Sequence, residues 1–332
     1  MNMPKVYVIV LNWNGAADTC ACVDSLLRLT HSNTELVICD NASQEASLHA
    51  IREWAMQQPT SGAIPFFREL DVPSAHDSAK LKGHCAKVTL IHTGGNLGYA
   101  GGMNVGVRYA MARQDMDLVW ILNNDTVVDE NALTELVARV HDDPNIGICG
   151  SSLIYFDQRT KVQAFGGASY QPWRGRSRAI GAFSSIESIP LQPHDVERAT
   201  AYVIGASMLV TKRFIDTVGL MDETYFLYSE EQDWALRGRK ADFSLGYAPR
   251  SFVFHKHGAS IGTSPSGGST VSLFYLYRAK LMFTMRHYAL LTPVVILSLA
   301  WEGAKFALKG KPDKAIAVGR GLVAAFSGGG PR

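Results

Sequence analysis

The sequence of 332 residues predicts an α/β fold in which a mostly parallel sheet is flanked by helices. Short runs rich in β-branched residues, starting with residues 6–11, are typical of buried parallel strands. They alternate with segments whose apolar residues recur at helical spacing, starting with residues 18–29, and this alternation is typical of a parallel sheet. The hydrophobic content of 47% and the charged content of 19% are those of a globular chain with one large core or two small ones.

Most of the chain continues this alternation up to residue 255. Further strands are predicted at residues 35–39, 88–92, 118–122, 146–151, 202–211 and 251–255. Further helices are predicted at residues 47–56, 101–113, 131–141, 212–218 and 230–240. Two segments break the pattern: residues 59–87 are expected to form an extended, mobile loop, and residues 155–198 are irregular.

The C-terminal part differs in charge from the rest of the chain. Residues 1–254 carry 22 basic and 28 acidic side chains, a net charge of −6. Residues 255–332 carry 10 basic and two acidic side chains, a net charge of +8. The apolar segment 288–301 is shorter than the roughly 20 residues of a spanning helix, which leaves an interfacial helix or a buried core helix. These features indicate an anionic surface such as lipid headgroups, with a solvated basic tail as the alternative. The overall net charge of +2 argues against a nucleic-acid binder.

Polar residues follow four of the predicted strands, at positions 12–15, 40–43, 96–102 and 123–125. In an open parallel sheet, ligands bind beyond the carboxyl ends of the strands, so these residues point to one crevice. Asp40 is suited to accept hydrogen bonds from a base or a ribose, and a helix N-cap is its alternative role.

The segment 96–106, N-L-G-Y-A-G-G-M-N-V-G, is rich in glycine and opens a helix. Small residues let the backbone approach a ligand closely, and a helix N-terminus favours a phosphate. The spacing matches neither G-x-G-x-x-G nor the G-K-[ST] ending of a P-loop, which excludes those two kinds of nucleotide site.

Asp125 and His255 are candidate metal ligands because each follows a strand. Mg²⁺ and Mn²⁺ take carboxylate oxygens together with substrate phosphates. Asn123 is placed to assist Asp125 through its carbonyl or through water, and an Asx-turn is the structural alternative. An imidazole suits Mn²⁺ better than Mg²⁺, although most single histidines are structural.

Three acids open the helix predicted at residues 230–240: Glu230, Glu231 and Asp233. On a helix, Glu230 and Asp233 share a face with Arg237, whereas Glu231 points away from them. This arrangement suits an ion pair with Arg237 beside a free carboxylate that takes the proton of a sugar hydroxyl. A solvated acidic helix start that complements the helix dipole is the alternative.

In their order along the chain, these segments resemble the family 2 glycosyltransferases, especially the bacterial rhamnosyltransferase-like branch with the GT-A fold. The matching motifs read V-I-V-L-N-W-N-G, D-N-A-S, N-L-G-Y-A-G-G-x-N-x-G, L-N-N-D-T, G-A-S-M-L-V, F-L-Y-S-E-E-Q-D-W-A-L-R and F-H-K-x-G-A-S. The resemblance implies a GT-A domain at residues 1–265, with a nucleotide-binding half (1–130) and an acceptor half (131–265). A helical extension that contacts a membrane is expected at residues 266–332.

The resemblance also implies a role for each matching residue. Seven residues would line the nucleotide-sugar crevice, namely Asn12, Asn14, Asp40, Asn96, Gly98, Asn123 and Asn124. Asp125 and His255 would hold the metal ion, and Glu231 would be the catalytic base, with Asp233 as the alternative.

Two residues depart from the family's pattern. Asn123 replaces the first carboxylate of the metal-binding D-x-D element, and Glu231 replaces the aspartate of the usual Glu-Asp pair. A displacement of about 1 Å at a reacting centre costs on the order of 10²-fold in rate. The pocket is therefore expected to fit Glu231, or Asp233 serves instead. The Q-x-x-R-W motif of processive synthases is absent from the sequence, which predicts a single transfer per encounter.

The predicted function is the inverting, Mg²⁺- or Mn²⁺-dependent transfer of a sugar to a saccharide or polyprenyl-linked acceptor in cell-surface polysaccharide synthesis. The resemblance favours dTDP-rhamnose as the donor, with UDP-sugars second. A sugar nucleotidyltransferase and a non-catalytic nucleotide-sugar binding protein are the alternatives. The five cysteines form no C-x-x-C pair, and the sequence shows no secretory signal. Both observations predict a cytoplasmic protein, and the inner face of the cytoplasmic membrane is its alternative location. A homo-oligomer is compatible with the sequence.

Overall fold

The computed structural model describes residues 3–59, 65–81, 85–256 and 268–327, so the expected domain boundary at residue 265 lies outside the described residues. Within them the strands are β1 (Val6–Asn12), β2 (Thr34–Asp40), β3 (Phe67–Asp71), β4 (Val88–His92), β5 (Leu118–Asn123), β6 (Thr126–Val128), β7 (Ile146–Tyr155), β8 (Val162–Phe165), β9 (Gly167–Gln171), β10 (Arg176–Ala179), β11 (Tyr202–Val203), β12 (Ser207–Thr211) and β13 (Ser244–His255). The helices are α1 (Ala16–Leu26), α2 (Glu45–Met56), α3 (Val72–Ala75), α4 (Ser78–Leu81), α5 (Gly98–Arg113), α6 (Ala132–Asp142), α7 (His194–Ala199), α8 (Lys212–Val218), α9 (Glu230–Lys240), α10 (Thr270–His287), α11 (Thr292–Leu308) and α12 (Pro312–Ser327).

A ten-stranded sheet forms the centre of the molecule. Its strands run in the order β3-β4-β2-β1-β5-β12-β7-β13-β6, and β8 pairs with β7 beside this path. The pairs from β3 to β5 are parallel, as predicted. β12 lies antiparallel between β5 and β7, so the second half of the sheet is mixed. β9, β10 and β11 form a small antiparallel sheet of their own.

The strand order determines where the polar strand ends meet. From β1 the chain moves outward to β2 and β4, whereas β5 pairs with the other side of β1. Such a reversal of strand order opens a crevice beyond the carboxyl ends of the two central strands. Asn12 ends β1 and Asn123 ends β5, so two of the predicted site residues lie at this crevice.

Apolar side chains cover both faces of the sheet. α1, α2 and α6 pack against one face, and α5 packs against the other face. The glycines of α5 allow a close contact, because a Cβ on Gly102 would lie 2.4 Å from Leu11 and one on Gly106 would lie 2.6 Å from Ile9. These two glycines therefore serve the packing of helix on sheet.

The described part of residues 59–87 contains regular structure that the sequence analysis missed. β3 pairs in parallel with β4 along its whole length, and α3 and α4 follow it. β3 reads F-R-E-L-D and is only partly buried, so it lacks the apolar run by which the buried strands were predicted. Arg52 of α2 holds this edge strand through Glu69 at 2.7 Å.

The segments 155–198 and 202–211 also differ from the prediction. The first contains β8, β9, β10 and α7 instead of irregular chain. The second divides at Gly205, because β11 belongs to the small sheet and β12 to the large one. The carbonyl of Gly205 accepts a hydrogen bond from the Tyr99 hydroxyl at 2.7 Å, which brings a tyrosine of α5 to this break.

α10, α11 and α12 form a C-terminal bundle whose core includes Val295, Leu299 and Val318. Pro293 lies in the first turn of α11, where proline is well tolerated, and does not interrupt the helix. Among the described residues, the segment Ala289–Leu308, which comprises α11 and the turn before it, is the one helix long and apolar enough to cross a membrane, and only 17% of its most apolar 18-residue window is buried. The expectation that this segment is too short to span is therefore wrong, and its exposure argues against a buried core helix.

Candidate active site

Asn12 and Asp40 fix the floor of the crevice. Both are buried, and the Asn12 amide donates to the Asp40 carboxylate at 2.8 Å. The amide oxygen of Asn12 accepts from the Thr19 hydroxyl at 2.8 Å, and Asp40 also accepts the backbone N–H of Ser43 at 3.1 Å. The two side chains therefore join the ends of β1 and β2 to each other and to α1.

Asn14 and Asn96 lie at the exposed rim of the crevice. Asn14 has a φ of 55°, and its side chain accepts the backbone N–H of Gln44 at 2.7 Å. Asn96 accepts hydrogen bonds from the Asn41 amide and from the backbone N–H of Gly98, both at 3.0 Å. Asn41 is buried and was missed by the sequence analysis, although it belongs to the D-N-A-S motif after β2.

Gly98 lies very close to the backbone of the loop before α9. It has a φ of 72°, and a Cβ at this position would lie 2.1 Å from the carbonyl oxygen of Phe226. The N–H of Tyr99 donates to the same carbonyl at 2.7 Å. Gly98 therefore allows the loop 222–229 to pack closely against α5. Its role in the nucleotide crevice stays a prediction.

Asn123 and Asn124 end β5 side by side. Asn123 is half-buried at the crevice. Asn124 is buried, and its amide donates to the Thr19 hydroxyl at 3.1 Å and to the carbonyl of Gly15 at 3.4 Å. Asn124 therefore ties β5 to the start of α1.

Asp125 and His255 lie together, as the metal-site prediction requires. Asp125 Oδ1 and His255 Nε2 are 3.2 Å apart, and both side chains are largely buried. His255 Nδ1 lies 2.9 Å from the Oε1 atom of Gln163, which can only accept, so Nδ1 carries a proton. Nε2 then faces the carboxylate, and either a proton or a cation between the two groups satisfies both.

The donor set of this pair fits two neighbouring ligands of a divalent cation. Adjacent ligands of an octahedral ion with bonds of about 2.1 Å lie about 3 Å apart, close to the 3.2 Å between Asp125 and His255. A carboxylate with an imidazole suits Mn²⁺ better than Mg²⁺. No group of three or more His, Cys, Asp or Glu side chains forms a metal site within the described ranges. The remaining ligands would therefore be substrate phosphates and water.

Lys256 adds a positive charge to this part of the crevice. Its backbone N–H donates to the carbonyl of Asp125 at 2.8 Å, and its ammonium group binds Asp18 at 2.7 Å. The sequence analysis missed this residue, although it is adjacent to His255 in the F-H-K motif. The other end of that motif, residues 257–260, lies outside the described residues.

The carboxyl groups of Glu230 and Glu231 lie at the start of α9, where they have little contact with solvent. Glu230 is 4% exposed, and the Oε2 atom of each has no hydrogen-bond partner among the described residues. Burial raises the pKa of Glu231 to about 7. Burial, and then the charge of Glu231, raise the pKa of Glu230 well above its usual range. A carboxylate with a pKa near neutrality is suited to act as a general base.

The backbone before α9 is in an unusual conformation. Tyr228 and Ser229 have φ values of 70° and 67°, the left-handed region that residues with a Cβ rarely adopt. Such conformations persist only where the surrounding structure holds them, and they cluster at functional sites. The turn sets the direction in which Glu230 and Glu231 enter the site.

Asp233 has a different environment from Glu231. It is fully buried, and its carboxylate accepts from Arg237 Nε at 2.6 Å and from His287 Nε2 at 2.7 Å. Burial alone would raise the pKa of Asp233, but the hydrogen bonds from His287 and Arg237 hold it below its usual value. The predicted ion pair with Arg237 is confirmed, and Asp233 joins α9 to α10 through His287.

Tyr99 lies between the segment before α9 and the break between β11 and β12. Burial, followed by the charges of Glu230, Glu231 and Asp125, raises the pKa of its hydroxyl well above the usual range. Tyr99 is partly buried. Its N–H donates to the Phe226 carbonyl in the loop before α9, and its hydroxyl donates to Gly205 just before β12, which pairs with β5. Tyr99 therefore connects the loop that leads to the candidate base with the strands beside the candidate metal ligand.

A cavity of about 170 Å³ borders the same helix on the side of the small sheet. Its walls include the side chains of Tyr170, Tyr202, Gln232, Phe283 and Tyr288. Gln232 in this wall follows Glu231 in α9, so the cavity borders the helix turn that carries the candidate base. Burial and the charge of Glu231 raise the pKa of Tyr202 to about 12. α10 and the turn after it supply two of its aromatic rings.

α10 also holds the loop that precedes α9. The Tyr228 hydroxyl lies 2.7 Å from the hydroxyl of Ser272. The rings of Phe226 and Tyr275 stack with centroids 4.6 Å apart. The C-terminal bundle is therefore part of the scaffold of the site.

Similarity to solved structures shows that the chain has a GT-A type glycosyltransferase fold. The chain is similar to GalNAc-T7 with UDP, GalNAc and Mn²⁺, at a TM-score of 0.57 and 16% identity over 84% of this chain and 48% of that one. It is similar to the mannosyltransferase PcManGT of Pyrobaculum calidifontis in complex with GDP-Man and Mn²⁺, at a TM-score of 0.53 and 13% identity over 98% of this chain and 88% of that one. It is also similar to S. aureus TarS in complex with UDP-GlcNAc, at a TM-score of 0.52 and 12% identity over 97% of this chain and 81% of that one. The predicted fold class is confirmed.

Within that class, the chain belongs to the family described as glycosyltransferase like family 2, which matches residues 4–266. It is 25% identical over 180 residues to the low-salt glycan biosynthesis hexosyltransferase Agl10 of Haloferax volcanii, covering 54% of this chain and 55% of that protein. It is 26% identical over 195 residues to the N-acetylglucosaminyl-diphospho-decaprenol L-rhamnosyltransferase of Mycobacterium tuberculosis, covering 54% and 62%. The matches thus span somewhat more than half of each relative. The resemblance to a glycosyltransferase family is confirmed.

Proposed function

We propose that the protein transfers a sugar from a nucleotide-diphosphate donor to an acceptor hydroxyl, with inversion at the anomeric carbon. One observation carries the proposal: Tyr99 donates hydrogen bonds both to the loop that leads to Glu231, at the Phe226 carbonyl, and to Gly205, beside the strands that lead to Asp125. A site for an anionic leaving group and a site for proton removal are thereby next to each other, as displacement at a sugar carbon requires.

The donor diphosphate binds at the crevice between β1 and β5. Asp125 and His255 would hold a divalent cation, which neutralises charge on the departing nucleotide diphosphate. Lys256 follows His255 in the chain, and its ammonium group is paired with Asp18 of α1 near this crevice. Asn14, Asn96 and Asn123 offer polar groups at the rim to the base and the ribose, whereas Asn12, Asp40 and Asn124 hold the strand ends in place.

The acceptor enters from the side of α9. Glu231 removes the proton from the acceptor hydroxyl as that oxygen forms its bond to the anomeric carbon. The bond from the anomeric carbon to the diphosphate oxygen breaks on the opposite face, and the electron pair leaves with the nucleotide. Asp233 is not the base in this mechanism, because Arg237 and His287 already occupy its carboxylate.

For the substrates we infer dTDP-rhamnose as the preferred donor and a UDP-sugar as the second choice. The supporting observation is the similarity to a mycobacterial rhamnosyltransferase whose name specifies a decaprenol-linked acceptor. A polyprenyl-linked or free saccharide is accordingly the proposed acceptor, in cell-surface polysaccharide synthesis at the cytoplasmic face of the membrane. Mn²⁺ is the preferred ion and Mg²⁺ the alternative.

The experiment measures nucleoside-diphosphate release and glycoside formation with a panel of nucleotide sugars, with and without Mn²⁺. Asp125→Ala and Glu231→Gln should each lower kcat/KM on the order of 10³-fold with an unchanged circular dichroism spectrum. Glu53→Gln, which alters an exposed glutamate of α2, is the matched control and should keep full activity. Full turnover by both site variants would contradict the assigned residues, and pyrophosphate release would indicate a nucleotidyltransferase. Donor binding without transfer or hydrolysis would indicate a binding protein.

A further inference from the structure

The C-terminal bundle exposes more large apolar side chains than any other described part of the chain. Of the 17 large hydrophobic residues that are exposed, nine lie between residues 268 and 327. Scattered exposed hydrophobics are normal on a soluble protein, whereas a contiguous set marks a surface that contacts another phase or molecule.

The exposed residues of α11 and the turn before it form one line. They are Leu290 (96% exposed), Val294 (50%), Leu297 (72%), Trp301 (58%) and Leu308 (77%). Their spacing of three, four or seven residues places them on one face of the helix, which we call the apolar stripe. The opposite face, with Val295, Leu299 and Gly303, packs into the bundle, so the stripe points away from the protein core.

Basic side chains accompany the stripe. Residues 268–327 contain eight Lys and Arg and two acids, a net charge of +6. Lys305 lies over the ring of Trp301, with its ammonium group 5.6 Å from the centroid. Lys309 follows Leu308 and is exposed. A long basic side chain beside apolar residues can keep its charge in water while its methylene groups contact hydrocarbon, as at a membrane interface.

The contacts of α11 favour a helix lying along the surface over a helix crossing it. Glu302 in the middle of α11 is hydrogen-bonded by the Tyr277 hydroxyl at 2.8 Å and paired with Arg176 of the small sheet. A helix that inserted across a bilayer would lose both partners and bury the glutamate in hydrocarbon, which is costly.

We propose that the apolar stripe and its lysines form the surface by which this protein docks onto an anionic phospholipid membrane. The occupant is the interfacial region of the bilayer: the leucines and the tryptophan contact the acyl chains, and the lysines contact the phosphate groups. The inference rests on the proposed function in one respect, because a lipid-linked acceptor gives the docking its purpose.

Docking through the stripe would also hold the active site at the membrane surface. Asp233 of α9 binds His287 at the end of α10, and α10 packs against α11 in the same bundle. The helix that carries the candidate base is therefore in direct contact with the bundle that would contact the lipid.

The test is co-sedimentation of the full chain with vesicles of phosphatidylcholine with or without phosphatidylglycerol. The unaltered protein should bind the anionic vesicles, and more weakly as salt increases. The double variant Leu290→Glu/Leu297→Glu should bind at least about tenfold more weakly to the anionic vesicles, because two exposed apolar side chains are lost from the contact. Met56→Glu, an equally exposed position on α2, is the matched control and should bind as the unaltered protein does.

A second pair of variants separates charge from apolar contact. Lys305→Gln and Lys309→Gln should each weaken binding to anionic vesicles roughly fivefold and leave binding to neutral vesicles unchanged. Absence of vesicle binding by the unaltered protein, or equal binding by the leucine double variant, overturns the proposal. A concentration-dependent dimer that the same double variant dissociates, without vesicle binding, would assign the stripe to a second copy of the chain.

Donor hydrolysis measured without vesicles separates this inference from the proposed function. The leucine variant should retain the hydrolysis rate of the unaltered protein, because the stripe lies outside the site. Vesicle binding together with an inactive unaltered protein would leave the docking surface in place and contradict the proposed transfer.

Discussion

At the scale of single residues, the environment of Glu231 determines how the enzyme should respond to pH. Burial raises its pKa to about 7, and only the ionised carboxylate accepts a proton from a hydroxyl. We therefore expect kcat/KM to rise as the pH increases through about 7 and to become constant above it. Initial rates measured from about pH 5 to pH 9 at a fixed Mn²⁺ concentration test this expectation. A profile that is flat across neutrality would show that Glu231 does not limit the reaction.

Asp233 provides the contrast that distinguishes the two candidate bases. Its buried carboxylate is paired with Arg237 and hydrogen-bonded to His287, and removal of one member of a buried ion pair leaves the other without a counter-charge. Asp233→Asn should therefore reduce the free energy of unfolding by about 3 kcal/mol. Denaturant unfolding measures this loss, and kcat/KM of the folded variant at low temperature should change less than tenfold. Should Asp233→Asn retain full stability but lose turnover, it would replace Glu231 as the base.

At the scale of elements, Gly98 joins α5 to the loop before α9. Its positive φ and the Phe226 carbonyl, 2.1 Å from a hypothetical Cβ, both exclude any larger residue. Gly98→Ala should cost about 2–4 kcal/mol in stability and displace the loop that leads into α9 and Glu231. Thermal unfolding and transfer rates measure the two effects together.

Gly95→Ala is the matched control for this prediction. It lies three residues earlier, and nothing stands within 4 Å of its hypothetical Cβ. This variant should stay within about 0.5 kcal/mol of the unaltered protein. Equal stability of the two variants would mean that the contact with Phe226 is not needed for the fold.

The strands that the sequence revealed are those whose burial is visible in composition. β1, β2, β4 and β5 are buried apolar runs and were predicted within a residue or two, whereas β3 is a half-exposed edge strand with alternating charge and was missed. Edge strands bury little apolar surface, so their pairing depends on a neighbour that is remote in sequence.

Among site residues, sequence reasoning identified those whose chemistry is visible in a single motif. Asp125, His255 and Glu231 carry their chemistry in their side chains and were singled out as candidates. Tyr99 and Gln163 act only through partners distant in the sequence, Gly205 and His255, so no local pattern indicates them. The contact of Gly98 with the Phe226 carbonyl could not be predicted, because the partner lies more than 100 residues away in the sequence.

At the scale of the whole molecule, the C-terminal bundle and the sheet domain share the loop that orients the candidate base. Tyr275 is largely buried and stacks on Phe226, whose carbonyl in turn accepts the N–H of Tyr99. A disturbance in α10 can therefore reach α5 and the site through two contacts. The bundle and the sheet domain should then unfold together in a single calorimetric transition.

Tyr275→Ala should reduce the free energy of unfolding by about 3 kcal/mol, because the substitution removes a buried ring and leaves a cavity. It should also slow transfer, since the left-handed turn at Tyr228 and Ser229 loses part of the packing that maintains it. Val271→Ala alters an exposed residue of the same helix and should change neither quantity by a measurable amount. Two separate transitions, or a destabilised bundle with unchanged kcat, would mean that α10 only covers the loop. A coupled loss would mean that the C-terminal bundle also holds the candidate base in position.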